Sequence, residues 1–219
     1  MPHVKPSAHP VSAVLVADLV ASRTASDRRA LHAAFREAME AVNTDPGSDV
    51  LEPLRITVGD ECQGRFATVG AALAATLRLR LGLSPIGDIR CGVGWGETVV
   101  LDDEGTQDGP AWWAARAAIE WVAQAQEVSA TEQVRTAYRS GQTEGPGEPE
   151  VNAALLCRDH LVGSLDSRSR RVLGGLMSGR TQAEMAEAEG VSPSAISQRI
   201  RRDGLGLIVM AHAELREVR

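Results

Sequence analysis

Two carboxylates stand where short apolar runs give out. Asp18 ends the run VSAVLVADL, and Asp60 sits in a Gly-Asp-Glu turn after LRITV. If those runs are neighbouring strands, both acids converge on one point. Hard carboxylate oxygens there suit a divalent cation that also takes phosphate oxygens. The plainer alternative is that Asp18 caps the segment after it and Asp60 makes a hairpin turn. Two adjacent indoles, Trp112 and Trp113, lie in an Ala-rich stretch. They either stack on a base or effector, or divide between the core and a dimer interface, and the interface is the favoured reading.

A different chemistry is written into the last fifty residues. Thr181 and Glu184 have the spacing of a capping box, Gly190 fits the left-handed position that stops a helix, and Ser192 caps the next one with Pro193 at its first position. That next helix turns Ala195, Ile196 and Ile200 inward and offers Ser194, Ser197, Gln198, Arg199, Arg201 and Arg202 outward. Such side chains reach base edges and phosphates in a major groove. Thr181, Gln182 and Ser192 flank this helix and complete the candidate DNA-contacting set. Double-stranded DNA is therefore the expected partner. The alternative is a helical hairpin that dimerises or binds another protein.

These residues need elements to hold them. Residues 1–11 read as a loose leader and 12–19 as a buried strand. A helix spans 22–43 after a capping region, with Leu31, Ala34, Phe35, Ala38, Met39 and Val42 at spacings of three and four. Strands follow at 54–58 and after the 59–67 turn, then a helix with apolar and basic faces over 68–83. The glycines of 88–101 predict two strands joined around them. An acidic loop covers 102–110, a helix 111–126, and a short helix about 130–139. Residues 140–150, rich in Gly with two Pro, are the best linker in the chain. Everything beyond reads as helix, with 205–215 a candidate dimer helix. The order is β-α-β-β-α-β-β-α and then helices only. The fold class is thus α+β, divided as 1–139, a 140–150 linker and an all-α helix-turn-helix domain at 151–219.

The bulk numbers agree with a soluble two-part chain. Of 219 residues, 43% are hydrophobic and 24% charged. The apolar start is broken by Asp18 and no cleavage site follows a basic start, so no signal peptide, membrane span or membrane partner is expected. Three Cys without metal or disulfide spacing predict reduced thiols and a cytoplasmic location. A net charge of −6 argues against nucleic acid, but its distribution does not: residues 166–219 carry nine Arg against seven acids, and the rest fourteen basic against twenty-two acidic residues.

Several of these segments resemble known families. The stretch LDSRSRRVLGGLMSGRTQAEMAEAEGVSPSAISQRIRR is similar to region 4 of bacterial sigma factors and to LuxR-type output modules. That resemblance implies that Ser194, Ser197, Gln198, Arg199 and Arg202 face DNA. The N-terminal part resembles class III nucleotide cyclases. VLVADLVASR looks like the family's first strand with its metal Asp at Asp18, and ITVGDECQGRF like its second metal-Asp hairpin at Asp60. RCGVGWGETVV is similar to its Arg-x-Gly-x-x-x-Gly strand pair, and GPAWWAARAAIE to the helix that carries the transition-state Arg, at Arg116. The whole chain resembles the SatD family, which joins such a domain to a terminal helical region.

The cyclase resemblance implies a ferredoxin-like, cyclase-like βαββαββα domain, Mg²⁺ or Mn²⁺ at Asp18 and Asp60, and a nucleotide against Trp112 and Arg116. Two positions depart from it. Ile56 stands where those cyclases carry a base-recognising Lys, and Trp112 where they carry an Asn. The chain also looks too short for the family's last strands. The expectation is therefore a homodimeric, DNA-binding transcriptional regulator whose degenerate cyclase-like domain dimerises and senses a nucleotide. The alternative is a metal-dependent class III-like nucleotidyl cyclase with a regulatory helix-turn-helix tail.

Overall fold

In a computed structural model the residues described are 8–142 and 144–219. The expectation for the leader therefore falls largely outside them, although its last residues already belong to the first strand. That strand, β1 (Ala8–Leu19), has Ala13, Leu15, Ala17 and Leu19 buried on one face and Val14 and Val16 on the other. Burial on both faces is why it reads as an unbroken apolar run rather than an alternation. The order continues as α1 (Arg28–Asn43), β2 (Val50–Val58), β3 (Glu61–Phe66), α2 (Val69–Leu83), β4 (Ile89–Val100), β5 (Gln107–Asp108), α3 (Pro110–Ala125) and β6 (Thr136–Ser140). Five helices follow: α4 (Glu148–Gly163), α5 (Ser167–Met177), α6 (Gln182–Glu189), α7 (Pro193–Arg202) and α8 (Leu205–Arg216). The protein is thus a mixed α+β fold with one six-stranded sheet.

The strands run β2-β3-β1-β4-β5, all antiparallel, and β6 lies parallel to β4. Helices α1 and α2 cover one face of the sheet. There Phe35, Met39 and Val42 meet Leu15, Phe66 and Leu73. Helix α3 covers the other face, where Ala111, Ala115 and Ile119 sit on Val14 and Val16. Side-chain caps start α1 and α2: Asp27 accepts from the Ala30 amide and Thr68 from that of Ala71.

Two expected elements are corrected. Residues 88–101 form one strand, not two. Gly92 and Gly94 lie on the same face of β4, and the backbone of α3 rests on them. A Cβ at Gly94 would stand 2.1 Å from the Ala111 carbonyl oxygen, and one at Gly92 2.3 Å from that of Ala115. The glycines mark close approach, not a turn. The short helix expected at about 130–139 is instead a single 3₁₀ turn (Ser129–Thr131) followed by β6. Tertiary partners fix that strand: Asp159 accepts from the amides of Arg135 (2.8 Å) and Thr136 (2.6 Å), and Asn152 accepts from that of Tyr138 (2.9 Å).

Residues 140–150 contain the end of β6, a turn in which Gly141 donates to the Trp95 carbonyl (2.7 Å), and the first turn of α4. The terminal helices then pack onto the sheet's own helices. Leu77 of α2 shares a second core with Val162, Leu173, Met185, Ile196, Leu205 and Ile208. Arg158, 3% exposed, donates to the Leu73 carbonyl and to the hydroxyls of Thr76 and Thr136. This lock explains why α2 is apolar nearly all round. The basic face expected on it is reduced to Arg78, half-buried and paired with Asp45, since Arg80 is 4% exposed and paired with Asp88 and Asp159. Among the described residues, no helix is long and apolar enough to cross a membrane.

Candidate functional site

Register brings the acids together. Asp18 points to the α3 face, in phase with Val14 and Val16. Its cross-strand neighbours are Glu61 on β3 and Arg90 on β4. Asp60 occupies the β2–β3 turn, tied to the same strand end by a bond from the Leu19 amide to its carbonyl (3.1 Å). Helix α3 brings Arg116 over this row. The result is three carboxylates, Asp18, Asp60 and Glu61, interleaved with two guanidinium groups.

Each charge has a partner within the chain. Arg90 grips Asp18 with two bonds, from Nε to Oδ1 (2.6 Å) and from Nη2 to Oδ2 (3.2 Å). Arg116 grips Glu61 likewise, at 3.1 and 3.0 Å. Asp60 accepts from the Ser22 hydroxyl. Burial pushes the Asp18 carboxyl up from its usual range; Arg90 opposes that shift, and Asp60 and Glu61 reinforce it. The Glu61 carboxylate holds the Arg116 guanidinium above its ordinary value. The strand end therefore carries more negative charge than its two Arg residues neutralise, which suits a cation.

A divalent cation fits these donors in kind, since all are hard carboxylate oxygens. In number they are few: among the described residues, no group of three or more His, Cys, Asp or Glu is arranged to hold a metal ion. Asp18 and Asp60 could supply part of a coordination shell that phosphate and water complete. Thiol chemistry finds no support nearby. Burial raises the Cys62 thiol to about 12 and that of Cys91 well above its usual value, so both stay protonated.

The remaining expected residues fall nearby or elsewhere. Trp112 is one helical turn from Arg116 and packs on Val14 and Val16; its indole N–H is buried with no partner among the described residues. Trp113 is 63% exposed and donates to Asp108 (2.6 Å). Ile56 is half-buried against the main core and pairs with Cys62 across β2–β3. Sequence reasoning did not single out Glu61, Arg90 or Ser22. The signal for the first two is register: Asp18, Glu61 and Arg90 form one cross-strand row, which can be read only once the strands are aligned.

The tail residues lie apart from this row. Thr181 and Glu184 make both bonds of the capping box, Gly190 is left-handed (φ 64°), and Ser192 accepts from the Ala195 amide. Gln182, Ser194, Gln198, Arg201 and Arg202 are exposed, and Ser197 is half-buried. Arg199 turns inward to Asp166 (2.8 Å) and Asp203 (3.4 Å), while Arg202 binds Asp203 (2.6 Å).

The SatD family matches residues 13–217. No curated protein matches the chain. Among solved structures, two of a bacterial light-regulated adenylyl cyclase are similar. The first is 15% identical (TM-score 0.45), with the match covering 65% of this chain and 48% of that one. The second is 14% identical (TM-score 0.46), covering 61% and 77%. The monomeric guanylyl cyclase domain of the RhoGC fusion protein from the aquatic fungus Blastocladiella emersonii is 12% identical (TM-score 0.40), covering 53% and 78%. The chain thus spans about half the length of the first of these cyclases. The family match runs from β1 through α8, sheet and terminal helices together, and so the chain belongs to the SatD family.

Proposed function

We propose that this SatD protein is a metal-dependent nucleotidyl cyclase of class III type, which takes a nucleoside triphosphate at the end of β1 and β3. The observation that carries the reading is the convergence of Asp18 and Asp60 beside Glu61, with Arg116 reaching in from α3. The sheet order β2-β3-β1-β4 supports a ferredoxin-like, cyclase-like core.

Asp18 and Asp60 would hold Mg²⁺ or Mn²⁺. The ion would polarise the reacting phosphate and make the attacking ribose hydroxyl more acidic. The chain's own residues do the rest by exchange of partners. Arg116 trades Glu61 for phosphate oxygen, where its planar fork offsets charge that develops during transfer. Arg90 swings off Asp18. The Arg116 side chain is 48% exposed, and pairs so exposed are worth about 0–1 kcal/mol, so that exchange is cheap. Trp112 offers a flat ring one helical turn from Arg116. The Asp18 and Glu61 side chains remain about a quarter exposed, at 28% and 27%, and a homodimer would cover them with a second copy.

Incubation with each of the four nucleoside triphosphates and Mn²⁺, followed by chromatography, tests this. The expected result is a cyclic nucleotide from at least one, lost in Asp18→Asn and in Asp60→Asn. Full activity in either variant refutes the assignment.

A second reading is that α6 and α7 bind double-stranded DNA and make the protein a transcriptional regulator. The left-handed turn between two capped helices and the exposed Ser194, Gln198 and Arg201 favour it. Electrophoretic shift of genomic fragments should weaken in Gln198→Ala; binding without sequence preference would remove the base-reading claim.

A further inference from the structure

The geometry points to a second ligand site, a cleft of about 700 Å³ between α1 and α2 on one side and α5 and α6 on the other, which takes a small organic anion with an apolar body. The cleft shares no residue with the Asp18 row, so it stands independently of the proposed activity.

Its charge is the first reason. Four Arg line it, at 78, 170, 171 and 180, against Asp45 and Glu189, in a chain whose net charge is −6. Two of the four are matched: Arg171 holds Glu189 with bonds of 2.6 and 2.7 Å, and Arg78 pairs with Asp45. The other two make no salt bridge among the described residues, although Asp88 acts on Arg170 and Arg180 on Glu184 from farther off. Arg170 reaches only the Gly163 carbonyl (3.1 Å), and its Nε is buried without an acceptor among the described residues. Arg180 is exposed and pairs with no acid among the described residues. Burial first, then Arg80 and Arg135, lower the Arg170 guanidinium below its usual value, and Asp88 opposes them. Four Arg against two acids leave the lining with an excess of cations, which calls for an anionic acceptor.

The cleft's floor is the second reason. Leu81, Met177 and Met185 line it, together with Gly174, where a Cβ would meet nothing within 4 Å. An inorganic anion would satisfy the guanidinium groups and leave this floor wet. A molecule with an apolar body of a few rings, or a short acyl chain, satisfies both. The volume lies within the roughly 300–1,000 Å³ of small-molecule pockets. One wall belongs to the helices under the sheet and the other to the terminal helices, so an occupant touches both parts of the chain.

Gly174 gives a clean test. It lines the cleft from α5, and a Cβ added there meets nothing within 4 Å. Gly174→Leu therefore fills the cleft while raising helix propensity. Gly206 of α8 is equally unobstructed, does not line the cleft and serves as a control. The probe is 8-anilinonaphthalene-1-sulfonate, titrated into the full chain by fluorescence, beside its uncharged counterpart N-phenyl-1-naphthylamine. The expected result is one saturable site for the sulfonate, weakened at least tenfold by Gly174→Leu and about tenfold by Arg180→Ala, unchanged by Gly206→Leu. The neutral compound should bind at least tenfold more weakly. Arg180 is exposed, so its replacement leaves folding intact and keeps the test sharp should the leucine disturb α5. Equal binding of the neutral compound overturns the anion claim. Undiminished sulfonate binding in both Gly174→Leu and Arg180→Ala overturns the site.

Discussion

Gly70→Ala asks whether the terminal helix is seated on α2, and the sign of its effect gives the answer. Gly70 lies in the first turn of α2, where backbone N–H groups have no partner within the helix. Thr68 caps Ala71, and the end of the chain satisfies Gly70: its amide donates to the Val218 carbonyl at 2.8 Å. The fit leaves no room for a methyl. A Cβ would stand 2.1 Å from the Arg216 carbonyl oxygen and 2.8 Å from that of Leu215. Ordinary contact begins near 3.4 Å, so the end of α8 must retreat by roughly 1.3 Å. Retreat loosens the Val218 bond, worth about 1 kcal/mol, and partly exposes Leu215, worth about 2 kcal/mol. Alanine's higher helix propensity returns up to about 1 kcal/mol. The expected balance is a loss of about 2 kcal/mol in urea unfolding, with faster amide exchange confined to α8. Were α8 not docked there, only the propensity gain would remain. A variant stabilised by about 1 kcal/mol with unchanged exchange in α8 would refute the docking.

Gly94→Ala should be harsher, because the obstruction is the backbone of α3 on both sides of the methyl. A loss of about 3 kcal/mol or more, or failure to fold, is expected in the same urea assay. His212 supplies a pH dependence. Burial first, then the charges of Arg158, Arg78 and Arg216, lower its imidazole from 6.5 to about 4, so it is neutral in the folded protein. The unfolded chain binds the extra proton between those values. Its contribution is therefore fully present above pH 6.5 and drains away as the pH falls towards 4, at no more than about 1.4 kcal/mol per unit. After discounting for partial exposure, His212→Gln should flatten the fall in stability between pH 7 and 5 by about 1 kcal/mol, read from urea midpoints.

The legible parts of the sequence were those set by local rules. Apolar runs gave β1 and α3, spacings of three and four gave α1, and the Thr181, Gly190 and Ser192 caps appear in the structure where the sequence placed them. Elements set by distant partners were hidden. The glycines of β4 carry the signal of a turn when read locally and the signal of helix contact only when α3 is laid across them. Residues 136–139 read as helix because nothing nearby says strand; Asn152, 14 residues on, and Asp159, 23 to 24 residues on, make them one. Asp18 and Asp60 were visible as chemistry because acids at strand ends are conspicuous. Glu61 and Arg90 were not, because alternation assigns a face but not a cross-strand neighbour.

The buried lock beneath α4 bears on how the two halves of the chain communicate. Asp159 holds the amides that open β6, and the next step in the chain of bonds is the Cys91 amide donating to the Arg135 carbonyl at 2.8 Å. Cys91 is the residue after Arg90, whose side chain holds Asp18. Arg158, beside Asp159, is at the same time bonded to the middle of α2, the helix on which the terminal bundle rests. Moving α4 away from the sheet would strand a buried guanidinium and a buried carboxylate, a penalty of about 3–5 kcal/mol if one partner is lost. Small shifts of α4 are therefore passed to the edge of β4 and not absorbed by a flexible joint.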